Sequence, residues 1–147
     1  MINVKFEVSE MILDQLSVFS ENKAGMLADI TAQLADANID IEALSIAETE
    51  EYGVIRFIVD APKKAATVLK MGGFVATLTP VIALKMSNKP GSLAKIARTL
   101  ADADIPIEYL YACVAREAGT AFVILRVEET EAAVALLAEK GYEPFRS

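Results

Sequence analysis

One stretch of this chain occurs twice. Shifted by 66 residues (25 to 91), ENKAGMLADITAQLADANIDIEAL lies over SNKPGSLAKIARTLADADIPIEYL. Asn22, Lys23, Gly25, Leu27, Ala28, Ile30, Leu34, Ala35, Asp36, Ala37, Ile39, Ile41, Glu42 and Leu44 recur unchanged in the second stretch. The same offset carries Gly53 onto Gly119. With one or two residues of slippage, Ala65-Ala66 and Gly73-Phe74 fall on Ala132-Ala133 and Gly141-Tyr142. Self-similarity at a fixed period marks a repeated supersecondary unit. The 147 residues therefore read as two very small domains rather than one ordinary one.

Within the first copy, Leu16 to Phe19 reads as a short strand, and Leu27, Ile30, Leu34 and Ala37 follow at the steps of an amphipathic helix. Asn38, and Asp104 in the second copy, suit the end of that helix because Asn and Asp tolerate the left-handed conformation found there. Ile39, Ile41 and Leu44 to Ile46 predict a second strand. Glu48 to Tyr52 reads as a polar turn and Val54 to Val59 as an interior strand. Pro62 opens a second helix to about Met71, Gly72-Gly73 stops it, and Phe74 to Leu78 closes the unit. The second copy predicts strands near Val81 to Met86, Ile105 to Val114, Ala121 to Val127 and Tyr142 to Phe145, with helices near Ser92 to Ala103 and Thr130 to Glu139.

That order is the βαββαβ, ferredoxin-like arrangement, with helices on one face of an antiparallel sheet. The expected division is 11–79 and 80–147, joined by Thr79-Pro80 alone. With no flexible linker and little core in each copy, the two are expected to pack as one rigid body. In residues 1–10, Ile2, Val4, Phe6 and Val8 alternate with polar residues, which predicts an extra strand at an edge or between subunits. An uncovered sheet face and that strand together predict a homo-oligomer.

Composition removes whole classes of function. A formal charge of −7 argues against nucleic acid, whose phosphates require clustered Lys and Arg. No histidine and one cysteine exclude imidazole triads, His or paired-Cys zinc sites and intramolecular disulfides. No cofactor motif is present, no constellation names a catalytic reaction, and a non-enzymatic role is expected. Nothing reads as a signal peptide or membrane span, so the expected location is the cytoplasm. Cys113 reads as a small side chain in an apolar strand. Glu42 and Glu108 read as solvated strand positions, and Tyr109 and Tyr111 as packing residues.

One loop remains that can carry function. Each copy sets Asn-Lys-(Ala or Pro)-Gly between its first strand and first helix: Asn22-Lys23-Ala24-Gly25 and Asn88-Lys89-Pro90-Gly91. A helix start offers unpaired N–H groups and the positive end of the helix dipole, so it can hold a carboxylate. The alternative is structural: Asn caps the helix and Gly serves the turn.

The N-x-(A/P)-G loop, the L-A-x-I and L-A-D-A helix segments, the I-x-I-E strand and the Gly-led strand with its Ala-rich helix resemble the ACT domain. From about Leu13 to Phe145 the chain is similar to small tandem ACT proteins. The resemblance implies pairing of the units through their second strands into an eight-stranded sheet, with amino-acid sites at the seam. It further implies that the loop of one unit and a polar residue opening the second strand of the other hold the ligand. By position these are Asn22 and Gly25, Asn88 and Gly91, with Asp40 at the second-strand position. Its equivalent Pro106 has neither a polar side chain nor an N–H. Asn88 and Gly91 with Asp40 thus make the better site, and Asn22 and Gly25 with Pro106 the poorer one. The implied function is an amino-acid-binding sensor or regulator; the alternative is a regulatory subunit of a biosynthetic enzyme such as acetolactate synthase.

Overall fold

A computed structural model describes residues 6–21, 23–48, 52–115 and 117–146. The chain divides into two compact units, Asp14–Thr79 and Pro80 onward, the latter including the described residues up to Leu13. The elements run β1 (Ile12–Glu21), α1 (Met26–Asp36), β2 (Ile41–Glu48), β3 (Tyr52–Val59), α2 (Pro62–Met71), β4 (Val75–Ser87), α3 (Ser92–Asp102), β5 (Tyr109–Val114), β6 (Thr120–Arg126) and α4 (Thr130–Glu139). Hydrogen-bonded neighbours follow the order β2-β3-β1-β4 in the first unit and β4-β6-β5 in the second. Every pair for which a register is defined is antiparallel.

Each unit has its own core, made by helices on one sheet face. In the first, Leu16 and Val18 of β1 lie opposite Phe57 and Ile55 of β3. Ile30 and Leu34 of α1 and Ala65, Ala66 and Leu69 of α2 cover them. In the second, Ile82 and Leu84 of β4 face Leu125 and Val123 of β6 beneath Ile96, Leu100, Ala133, Val134 and Leu137. On the other face of β1, Gln15 and Ser17 are also buried. Their polarity is satisfied in a chain: Gln15 Nε2 donates to Ser17 Oγ (3.0 Å), which lies 3.0 Å from Thr79 Oγ1.

All four helices end by the same device. At α1, Asn38 N–H bonds to Ala35 C=O and Ile39 N–H to Leu34 C=O, both at 2.9 Å. Asn38 has φ 57° and Asp104 has φ 58°, the left-handed residue that this motif requires. Gly73 and Gly141, at φ 90° and 93°, do the same for α2 and α4.

The expected eight strands number six among the described residues. Phe74 to Leu78 and Val81 to Met86 are one strand, β4, running through Thr79-Pro80. Proline's fixed φ suits extended backbone and biases the preceding residue the same way, so Thr79-Pro80 continues a strand while giving up one donor. Tyr142 to Phe145 contributes one isolated bridge, Leu84 to Pro144. Pro144, also without an N–H, cannot extend it as a full ladder. β5 starts at Tyr109 rather than Ile105; Pro106, with no N–H, stands where Asp40 N–H donates to Asp60 Oδ1 in the first copy. Among the described residues β2 is bonded to β3 alone and β5 to β6 alone. The second-strand pairing implied by the resemblance is not among these pairs.

Of the expected N-terminal strand, residues 1–5 lie outside the described residues, as do 49–51 of the expected polar turn. Val8–Met11 is a 3₁₀ turn and not a strand. Glu7 and Glu10 form a capping box across it, and Met11 is fully buried in the second unit's core, with Phe6 packed against it. No helix among the described residues is long and apolar enough to cross a membrane.

Candidate functional site

The two loops between first strand and first helix are built alike. Gly25 and Gly91 are the N-caps of α1 and α3, at φ 89° and 93°. A side chain at either would be strained by its backbone alone, yet a β-carbon would meet no atom within 4 Å. Both glycines thus serve the turn and leave open space above it. Met26 and Ser92 N–H return to Lys23 and Lys89 C=O (3.3 and 3.1 Å), and Asp29 and Lys95 N–H reach Gly25 and Gly91 C=O (2.9 and 3.0 Å). Helix geometry leaves Leu27 and Ala28, and Leu93 and Ala94, with N–H groups that have no intrahelical acceptor. Those donors point toward the open end with the helix dipole behind them.

The cap positions that the structural alternative gave to asparagine are held by Gly25 and Gly91. Asn22 lies outside the described residues. Asn88 stands three positions before the cap, exposed, and its backbone N–H is held by Gly119 C=O at 2.8 Å. That bond fixes the loop to the β5–β6 turn and leaves the carboxamide at the surface.

A difference between the loops lies in their lysines, which sequence reasoning passed over because Lys23 and Lys89 are identical. Lys23 Nζ is bound to Glu21 Oε2 at 2.6 Å, and that pairing lowers the Glu21 carboxyl and raises the Lys23 ammonium from their ordinary ranges. The position matching Glu21 is Ser87. Among the described residues, Lys89 has no carboxylate within ion-pair distance. Among the described residues, then, the second loop offers an ammonium with no carboxylate paired to it.

Asp40 opens β2 on the exposed surface. Its N–H donates to Asp60 Oδ1 (3.0 Å) and its C=O accepts from Asp60 N–H (3.2 Å). The backbone is fixed, and among the described residues no cation lies at ion-pair distance from the carboxylate. It lines a shallow depression of about 550 Å³ with Ala28, Thr31, Ala32, Ala35, Ile39 and Ile41. Its counterpart in the second unit, about 350 Å³, is lined by Ala97, Ala101, Asp104, Ile105, Pro106 and Ile107. The alanines that shape both depressions stand in the sequence as a small-residue row on each helix, which sequence reasoning did not single out.

The remaining candidates keep modest roles. Cys113 is half-buried and burial raises its thiol pKa, which disfavours the reactive thiolate. Glu108 lies 3.6 Å from Arg126 Nε, and Tyr109 and Tyr111 are half-buried on β5.

Two fused ferredoxin-like units, each with a glycine-capped helix start beside its first strand, define a paired small-domain protein. Residues 11–143 match the ACT domain pair, and the chain belongs to that family. It is similar to a crystallised protein of Bacteroides thetaiotaomicron, 37% identical over 90% of this chain and 91% of that one, with a TM-score of 0.84. The ligand-free regulatory subunit of aspartate kinase from Thermus thermophilus shares the fold at 19% identity, 88% and 97% coverage and a TM-score of 0.65. The corresponding subunit from Thermus flavus does so at 17% identity, 87% and 95% coverage and 0.58. No curated protein matches.

Proposed function

We propose that this protein binds a free amino acid and through it regulates a metabolic process. The observation that carries the reading is the second loop. That loop carries a helix start with free N–H groups, open space over Gly91 and Lys89, which among the described residues has no carboxylate at ion-pair distance, a combination suited to a carboxylate. Asn88 adds a carboxamide at the surface. We assign Asp40 as the acceptor for the ligand's ammonium group, an assignment resting on the family resemblance and on the free carboxylate. The Asn22 and Gly25 loop, with its lysine tied to Glu21 and Pro106 as the matching second-strand residue, is the poorer site. Melting the protein against each of the twenty amino acids tests the reading. A ligand that binds only the folded state raises the melting temperature; a flat response across the set would refute amino-acid binding.

β2 and β5 are both edge strands, and Leu44 and Ile46 on β2 are exposed. We propose that a second copy covers these edges, so that second-strand pairing occurs between chains. The regulatory subunits with this fold favour a second reading, in which the chain is a permanent subunit of an enzyme. Purification of the tagged protein separates the two. Multiples of its own mass alone support self-assembly, and a stoichiometric larger chain supports the subunit reading; a monomer at micromolar concentration would sink both.

A further inference from the structure

The two copies diverge in a way that the amino-acid reading does not use. Where α1 carries Asp29, Ala32 and Gln33, α3 carries Lys95, Arg98 and Thr99, and where the first copy turns through Gly72, the second has Lys140. In the first unit the Gln33 carboxamide lies over Gly72 so closely that a β-carbon there would collide with it. Thr99 is too short to fill the matching space. A depression of about 580 Å³ remains beside α3 and the end of α4, lined by Ala94, Lys95, Arg98, Thr99, Lys140 and Tyr142.

At these positions one acid and no base in the first copy have become three bases and no acid in the second, in a chain whose formal charge is −7. Among the described residues neither Lys95 nor Lys140 has a carboxylate at ion-pair distance. Unlike Lys23 and Glu21 at 2.6 Å, Arg98 and Asp102 stand 3.7 Å apart with both side chains largely exposed, a pair too loose to hold Arg98 against a better anion. Cations around a concavity reinforce one another's field inside it. The guanidinium fork matches phosphate oxygens bidentately, and lysine serves them as a point charge. Burial raises the Tyr142 phenol above its ordinary range, so at neutral pH it remains a donor.

We propose that this depression binds a compact phosphorylated anion of the pyrophosphate class, as a site separate from the amino-acid loops. Calorimetric titration of the full chain with inorganic pyrophosphate at constant ionic strength tests it. Arg98→Gln and Lys140→Gln are expected to weaken binding about ten-fold or more each, since a charge-assisted contact of this kind is lost. Lys63→Gln and Lys70→Gln, exposed cations on α2, should alter it by less than about two-fold, as expected for charges outside the site. Absence of saturable binding at millimolar pyrophosphate would overturn the proposal, as would equal weakening by the α2 variants. Equal affinity for citrate would overturn the assignment to phosphate.

Discussion

Asp40→Ala is expected to weaken binding of the responding amino acid about five- to a hundred-fold, a loss on the order of 1 to 3 kcal/mol. A zwitterion needs donors for its carboxylate and an acceptor for its ammonium. The loop of Asn88 and Gly91 supplies donors in excess and no carboxylate. Under the proposed assignment Asp40 supplies the missing charge; its backbone is held by Asp60 at both its N–H and its C=O. Asn88→Ala should also weaken binding strongly, whereas Asn22→Ala should have little effect, because its loop has Lys23 tied to Glu21 and Pro106 as its assigned partner. Calorimetric titration reads all three. Unchanged affinity in Asp40→Ala would remove the ammonium contact, and two equal sites in the wild type would remove the asymmetry.

Phe57→Ala is expected to cost about 3 to 5 kcal/mol of stability, the range for a large aromatic removed from a packed interior. Phe57 is fully buried, opposite Leu16 on the neighbouring strand and beneath both helices of its unit. Little can move to fill the gap, because α1 and α2 are each anchored at their C-terminal ends by left-handed residues. Phe19→Ala is the matched comparison. It deletes the same group from β1, but Phe19 is 44% exposed, so much less apolar area is returned to water and the cost should be less than half. Urea unfolding measures both, and equal losses would show that burial is not what Phe57 contributes.

What the sequence disclosed depended on whether a residue's own chemistry decided the matter. Asn38, Asp104, Gly73 and Gly141 could be read as helix ends because few residues tolerate positive φ, and Pro62 as a helix start because its missing N–H costs nothing there. The strands on either side of Thr79-Pro80 were read as two and are one, since proline is compatible with both a strand end and an extended strand. The alternation of Ile2, Val4, Phe6 and Val8 suggested a strand; in its described part, Glu7 and Glu10 cap a 3₁₀ turn at Val8–Met11 that buries Met11. In the site, the glycine turn and the exposure of Asp40 followed from residue type. The state of Lys89 did not, since it depends on what stands two residues before each lysine. Comparing Glu21 with Ser87 would have exposed it.

That pairing has a consequence for how such a chain can change. In a homodimer of single units every substitution is made twice, so placing a carboxylate beside one loop lysine would place it beside both. Fusion in one chain lifts this restriction: Glu21 pairs with Lys23, while the position matching Glu21 is the uncharged Ser87. If both loops bind the proposed ligand, they can then drift toward different thresholds, and a pair of unequal thresholds spreads the response over a wider span of ligand concentration than two equal ones. Alternatively, one copy keeps the recognition chemistry and the other is released from it, free to acquire something else.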